Sequence, residues 1–129
     1  MIVHGQQVER KEAVHLFKES TNPNQILLSV KFETGIDFPE LDIINNVIAV
    51  LNWDNPYDPL VIAKKKYYGS KIAAELENKS IARYVSQGYG RVNRNFDKTT
   101  NTVIVCSTFG QWYKHNESLF YNWFTEAKV

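Results

Sequence analysis

Three short apolar runs punctuate the chain: Ile26-Leu27-Leu28-Ser29-Val30, Val47-Ile48-Ala49-Val50-Leu51 and Val103-Ile104-Val105-Cys106. Each is rich in β-branched residues and nearly continuous rather than alternating, the pattern of strands covered on both faces of a parallel sheet. A shorter fourth candidate is Ile2-Val3-His4. Between the strands the period changes. From Gln7 to Glu19, Ala13, Val14, Leu16 and Phe17 supply an apolar side, and Glu9, Arg10, Lys11, Glu12 and Lys18 supply a wet one, which predicts a helix. Thr21-Asn22-Pro23-Asn24 stops it with turn-forming residues. A second helical stretch is expected from about Leu60 to Glu77, punctuated by Asn78-Lys79-Ser80, with Ser80 as the N-cap of a third helix through about Gln87. The tail from Glu117 to Phe124 is expected to cover a core with Leu119, Phe120, Trp123 and Phe124 on one helical face.

Strand, helix, strand, loop, strand, two helices, strand, helix is the order of an α/β layer fold with a mostly parallel sheet and right-handed crossovers. No internal repeat or low-complexity stretch interrupts it, so residues 1–129 read as a single domain. Two loops, 31–40 and 52–59, follow strands at the presumed carboxyl end of the sheet, where open α/β sheets bind their ligands.

Composition narrows the classes. With 129 residues, 43% of them apolar, the chain suits one globular domain. Fifteen basic against fourteen acidic residues leave a net charge of +1, so any contact with nucleic acid or membrane must be local. One cysteine, Cys106, excludes an intramolecular disulfide and a multi-cysteine metal site, which implies a reducing, cytoplasmic compartment. At the end of an apolar strand Cys106 reads as a small core residue rather than a reactive thiol. No apolar run approaches the roughly 20 residues that span a bilayer, and the first residues lack the pattern of a signal peptide. His4, His15 and His115 show neither i, i+4 pairing nor cysteine partners, so no metal site is expected.

Gln87-Gly88-Tyr89-Gly90-Arg91-Val92-Asn93-Arg94 is the stretch richest in chemistry. Arginines three apart at a helix end share a face, and the glycines free the backbone to present both. Their forks match phosphate oxygens and stay charged at any relevant pH. The structural alternative is a pair of surface arginines facing Glu or Asp. Trp53 is the loop aromatic suited to stacking on a base. Lys64-Lys65-Lys66 with Tyr67-Tyr68 reads either as a strand-gripping patch or as a solvated helix face with two half-buried tyrosines. Trp112 and Trp123 read as packing under the last helix.

Gln87, Gly90, Arg91 and Arg94 stand in a pattern that resembles motif VI of superfamily 2 helicases. Thr34-Gly35-Ile36-Asp37-Phe38-Pro39 resembles motif V of the DinG/XPD-like branch, and Pro56-Tyr57-Asp58-Pro59 resembles the Asp-Pro loop that follows it there. The opening, His4-Gly5 with Arg10 and Phe17, is similar to the segment before motif V in the second RecA-like domain. The resemblance runs in order along nearly the whole chain. It implies a RecA-like three-layer fold, with ATP and Mg shared between this domain and a first RecA-like domain in cis or trans. Arg94 would be the arginine finger and Arg91 its neighbour at the γ-phosphate. Gln87 would orient the motif, with Asp37 and Gly90 on the nucleotide side. Thr34, Gly35, Trp53, Lys64 and Lys65 would face single-stranded DNA.

The departures are equally specific. Where that branch has an acidic residue and an arginine after the final strand, this chain has Cys106 and Thr108. No G-x-x-x-x-G-K-[ST] loop and no acidic Mg²⁺ motif after a strand occurs in these residues. No cofactor is therefore expected on the isolated chain and no ATP hydrolysis by it alone. The first strand and helix of such a domain are expected to be missing, which would leave an edge that drives self-association. The rival reading is a standalone, non-catalytic module of helicase descent, viral or mobile-element origin included, that binds nucleic acid or a protein.

Overall fold

The computed structural model describes residues 1–3, 9–28, 45–90 and 100–127. Strand β1 (Ile2–Val3) leads through helix α1 (Arg10–Glu19) to β2 (Leu27–Leu28), which pairs with β1 in parallel, Ile2 opposite Leu27 and Val3 opposite Leu28. Ala13, on α1, is fully buried. The chain leaves α1 through Ser20 and an Asn22 turn, in which the Asn22 side chain accepts a hydrogen bond from the Asn24 amide at 2.9 Å.

A second parallel unit holds the main core. Strand β3 (Asn45–Ile48) is followed by helices α2 (Pro59–Tyr68) and α3 (Ser70–Gly90), and β4 (Asn101–Ile104) returns beside β3. The register runs from Asn45 opposite Asn101 to Ile48 opposite Ile104, and the Val105 amide extends it to the Ile48 carbonyl. Among the described residues the strands thus form two separate parallel pairs, each joined by a helical crossover.

Side chains on β3 and β4 alternate. Ile48 points into the core and Ile104 sits half-buried against it, while Val47 and Val103 face outward with more than half their surface exposed. The expectation that both faces of these strands are covered is corrected here. Among the described residues the crossover packs on one face, and Val47, Val103 and Val105 are exposed on the other.

Helix α2 starts where the sequence places it, because Pro59 occupies the first turn and Asp58 Oδ1 accepts from the Leu60 amide at 2.8 Å. The break that follows is not at Asn78-Lys79-Ser80. It falls at Gly69, whose φ of +82° suits a residue without a Cβ, and α3 then runs unbroken for 21 residues. Ser80 is mid-helix. Asn78 does not cap because its Oδ1 accepts the Trp112 indole N–H at 2.9 Å. Ile81, Ala82 and Val85 of α3 meet Ile48 and Leu51 of the β3 segment, with Tyr113 and Phe120 from the tail closing the cluster.

The tail also differs from expectation. Helix α4 (Phe109–Asn116) comes first, then a 3₁₀ turn (Glu117–Leu119), then α5 (Asn122–Glu126). Phe120 and Tyr121 are extended, which splits the expected single helix. The split lets Phe120 drop into the core beside Tyr113 and Trp112. Trp112 packs as expected, but Trp123 remains 45% exposed.

Candidate functional site

The last turn of α3 is built from both ends of the packing. Asn46, on the half-buried side of β3, reaches it from the strand: its Nδ2 donates to the Gly88 carbonyl at 3.1 Å and lies 3.4 Å from Thr102 Oγ1. At Gly88 helix and strand approach closely, since a Cβ there would lie 3.3 Å from Ile48 Cδ1. Gly88 and Gly90 are both helical, so the glycines do not open a turn before the end of α3, as the sequence suggested. Gln87 sits beside this contact with its side chain exposed.

The loop after β3 gathers another group. Leu51 is buried, and two residues on Trp53 is half-exposed, its ring edge-on to Trp112 at 6.2 Å. Asp54 anchors the loop twice: its amide donates to Glu77 Oε1 on α3 at 3.0 Å, and its carboxylate lies 3.7 Å from Lys64 Nζ on α2. Lys64 is thus paired with the residue that follows Trp53 in the loop. The ion pair is exposed and contributes at most about 1 kcal/mol. Lys65 and Lys66 are exposed on α2; Tyr67 is open to solvent and Tyr68 half-buried, and the two rings touch edge to face at 4.8 Å.

After β4, Cys106 is half-buried against the core, and its Sγ lies 3.2 Å from Thr108 Oγ1. That hydrogen bond is the main cause that holds the thiol pKa below its ordinary value. Thr108 precedes α4 but does not cap it with its side chain. His15 is exposed and sits 3.3 Å from Glu19 one turn on. Among the described residues no three His, Cys, Asp or Glu side chains converge on a point that could hold a metal ion.

Residues 1–127 match the family described as helicase C-terminal domain. The chain belongs to that family. No curated protein and no solved structure matches it.

Of the residues that the sequence singles out, Gln87 and Gly90 lie on α3, Trp53 lies in the loop after β3, and Lys64, paired with Asp54, and Lys65 lie on α2. Arg91, Arg94, Asp37, Thr34 and Gly35 lie outside the described residues. Asp58, part of the Pro-Tyr-Asp-Pro stretch, has a local structural task as the cap of α2. Sequence reasoning missed Asn46: an asparagine just before an apolar run carries no sign that a carbonyl 42 positions later needs its amide. Among the described residues no helix is long and apolar enough to cross a membrane.

Proposed function

We propose that this helicase C-terminal domain is the second RecA-like half of an ATP-dependent DNA helicase of the DinG/XPD-like branch, with the three-layer architecture that implies. The observation that carries the reading is the family match over residues 1–127, joined to Gln87, Gly90, Arg91 and Arg94 in the spacing of the helicase motif, with Gln87 and Gly90 on a helix bonded to its neighbouring strand. Parallel strands joined by helical crossovers are consistent with it.

The donor set fits a triphosphate better than its metal. Arg91 and Arg94 offer guanidinium forks and Gln87 an exposed amide, whereas the described residues hold no carboxylate cluster for Mg²⁺. ATP, when bound with Mg²⁺, supplies the phosphoanhydride whose cleavage drives the motor. Arg94 places positive charge where negative charge develops on the transferring phosphoryl group, and Arg91 holds a neighbouring oxygen. Gln87 orients that pair from the last turn of α3. A first RecA-like domain, in cis or trans, brings the phosphate loop and the metal ligands. Thr34, Gly35, Trp53, Lys64 and Lys65 contact the single strand, phosphates through the hydroxyl, amide and ammonium groups and a base through the indole.

The test assembles this chain with its first RecA-like domain. Arg94→Ala should lower ATP turnover by about 10³–10⁵ and leave single-strand binding near normal. Turnover that survives the substitution overturns the finger assignment. The chain alone should show no Mg²⁺-dependent hydrolysis.

A second reading, a non-catalytic module that grips nucleic acid by itself, is favoured by the exposure of Trp53, Lys65, Lys66 and Tyr67. Single-strand binding by the isolated chain that weakens with salt and is lost on replacing Lys64 and Lys65 supports it. No binding at low salt removes it.

A further inference from the structure

Trp53 is held from two directions. Its loop is pinned at successive points: Leu51 is buried in the core, the Trp53 amide donates to the Leu51 carbonyl at 3.0 Å, and the Asp54 amide donates to Glu77 at 3.0 Å. Its ring stands perpendicular to that of Trp112, with centroids 6.2 Å apart and planes at 87°. Trp112 is fixed in turn. Its indole N–H donates to Asn78 Oδ1 on α3 at 2.9 Å, and its ring packs on Phe109 and on the buried Phe120. Asn78, Trp112 and Trp53 thus form a chain of contacts from α3 through α4 to the loop after β3. A perpendicular neighbour covers at most one face of a ring, and Trp53 remains 46% exposed. Strands β3 and β4 are parallel, so the segments that follow them lie at the same end of the pair, where open α/β sheets take their ligands.

We propose that Asn78 and Trp112 are positioning residues, which hold the Trp53 indole ready to stack on a base of single-stranded DNA. This rests on the reading above that Trp53 contacts the strand, and adds two residues that no motif of the sequence includes. A ring already fixed loses little rotamer freedom when a base stacks on it, so the chain of contacts serves affinity as well as stability. Charge favours a strand over a free nucleotide. The carboxylates of Asp54 and Glu77 meet at the residue that follows Trp53 and repel a compact triphosphate. A strand lays an uncharged base on the indole and keeps its phosphates on α2, whose Lys64 already reaches Asp54 and whose Lys65 and Lys66 are exposed.

The experiment titrates a labelled oligothymidylate of about 15 nucleotides with the full chain, at low and near-physiological salt. Trp53→Ala should weaken binding by about fivefold to 150-fold, and Trp53→Phe, which keeps a π-face, by much less. Asn78→Ala and Trp112→Phe each break the indole hydrogen bond and should weaken binding by about twofold to tenfold. Asn78→Asp keeps the acceptor oxygen and should restore binding to the parent's. Circular dichroism confirms that each variant is folded, and where Asn78→Ala is not, Trp112→Phe carries the same test. In a Trp53→Ala background the Asn78→Ala loss should vanish, because it acts through that ring. An equal loss in both backgrounds, or Asn78→Ala binding as tightly as the parent, overturns the proposal. If the parent binds with a salt slope and Trp53→Ala binds equally well, the proposal is overturned and another surface grips the strand. If the parent does not bind at low salt, the proposal falls together with the strand contact, while the Arg94→Ala turnover test still judges the helicase reading.

Discussion

Asn46 Nδ2 donates to the carbonyl of Gly88 at 3.1 Å, tying the middle of β3 to the last turn of α3 across 42 positions of sequence. The bond holds that part of α3 on β3. Asn46→Ala should cost about 0.5–1.5 kcal/mol in urea unfolding. It should also speed hydrogen exchange in the final turn of α3 more than in its middle. Uniform exchange along the helix would show that the bond does not hold that end.

The two glycines of this turn should respond oppositely to a side chain. At Gly88 a Cβ would sit 3.3 Å from Ile48 Cδ1, tight for one methyl and untenable for a branched chain. Gly88→Val should therefore cost about 1–3 kcal/mol by overpacking. Gly90 has open space around its Cβ direction, so Gly90→Ala should be neutral or stabilising by up to about 1 kcal/mol. Paired thermal melts compare them directly.

Gly69 separates α2 from α3 with φ at +82°, a backbone that L side chains rarely adopt, and its N–H still bonds the Lys65 carbonyl at 3.0 Å. Gly69→Ala should lower stability by about 1–3 kcal/mol although nothing surrounds the new methyl. A variant as stable as the parent would mean that the two helices can join differently.

Cys106 should react with a thiol reagent at lower pH than a free cysteine does. The Thr108 hydroxyl, 3.2 Å away, favours the thiolate and lowers its pKa. Thr108→Val should move the pH profile of alkylation back upward. As the folded pKa is the lower one, the thiolate adds stability at alkaline pH, above the unfolded value. That addition is lost as pH falls through the folded value.

Tyr113 moves the other way. Burial first, and then Glu117, whose Oε1 accepts the phenol proton at 3.0 Å, raise its pKa above the ordinary value. A raised folded pKa keeps its stabilising effect below the unfolded value near 10 and loses it as pH climbs through the folded one. Unfolding midpoints should fall above about pH 10. Tyr113→Phe should flatten that fall and cost about 0.5–1.5 kcal/mol at pH 7. An unchanged alkaline slope would place the cause in another group.

Local chemistry determined much of this protein without help from the rest of the chain. The apolar run around Ile48 had to be a strand near its place. Asp58-Pro59 had to start a helix, and Asn22-Pro23 had to end one, because caps and turn formers act within a few residues. The ordered motifs that resemble a helicase are local strings too, and they indicated the family that the chain proves to match. Tertiary structure decided the rest. Asn78 resembles a helix break until Trp112, 34 residues on, takes its side-chain oxygen, and α3 runs through it. The tail's apolar spacing permits one helix, but burying Phe120 beside Tyr113 requires extended backbone there and splits it. Asn46 shows no task until α3 lies across β3, and the stacking of Tyr89 with Trp123 joins segments 34 residues apart. Propensities and caps act along the chain, whereas an orphan carbonyl or an indole N–H is satisfied by whatever group the packing brings near, and that group has no fixed distance in sequence.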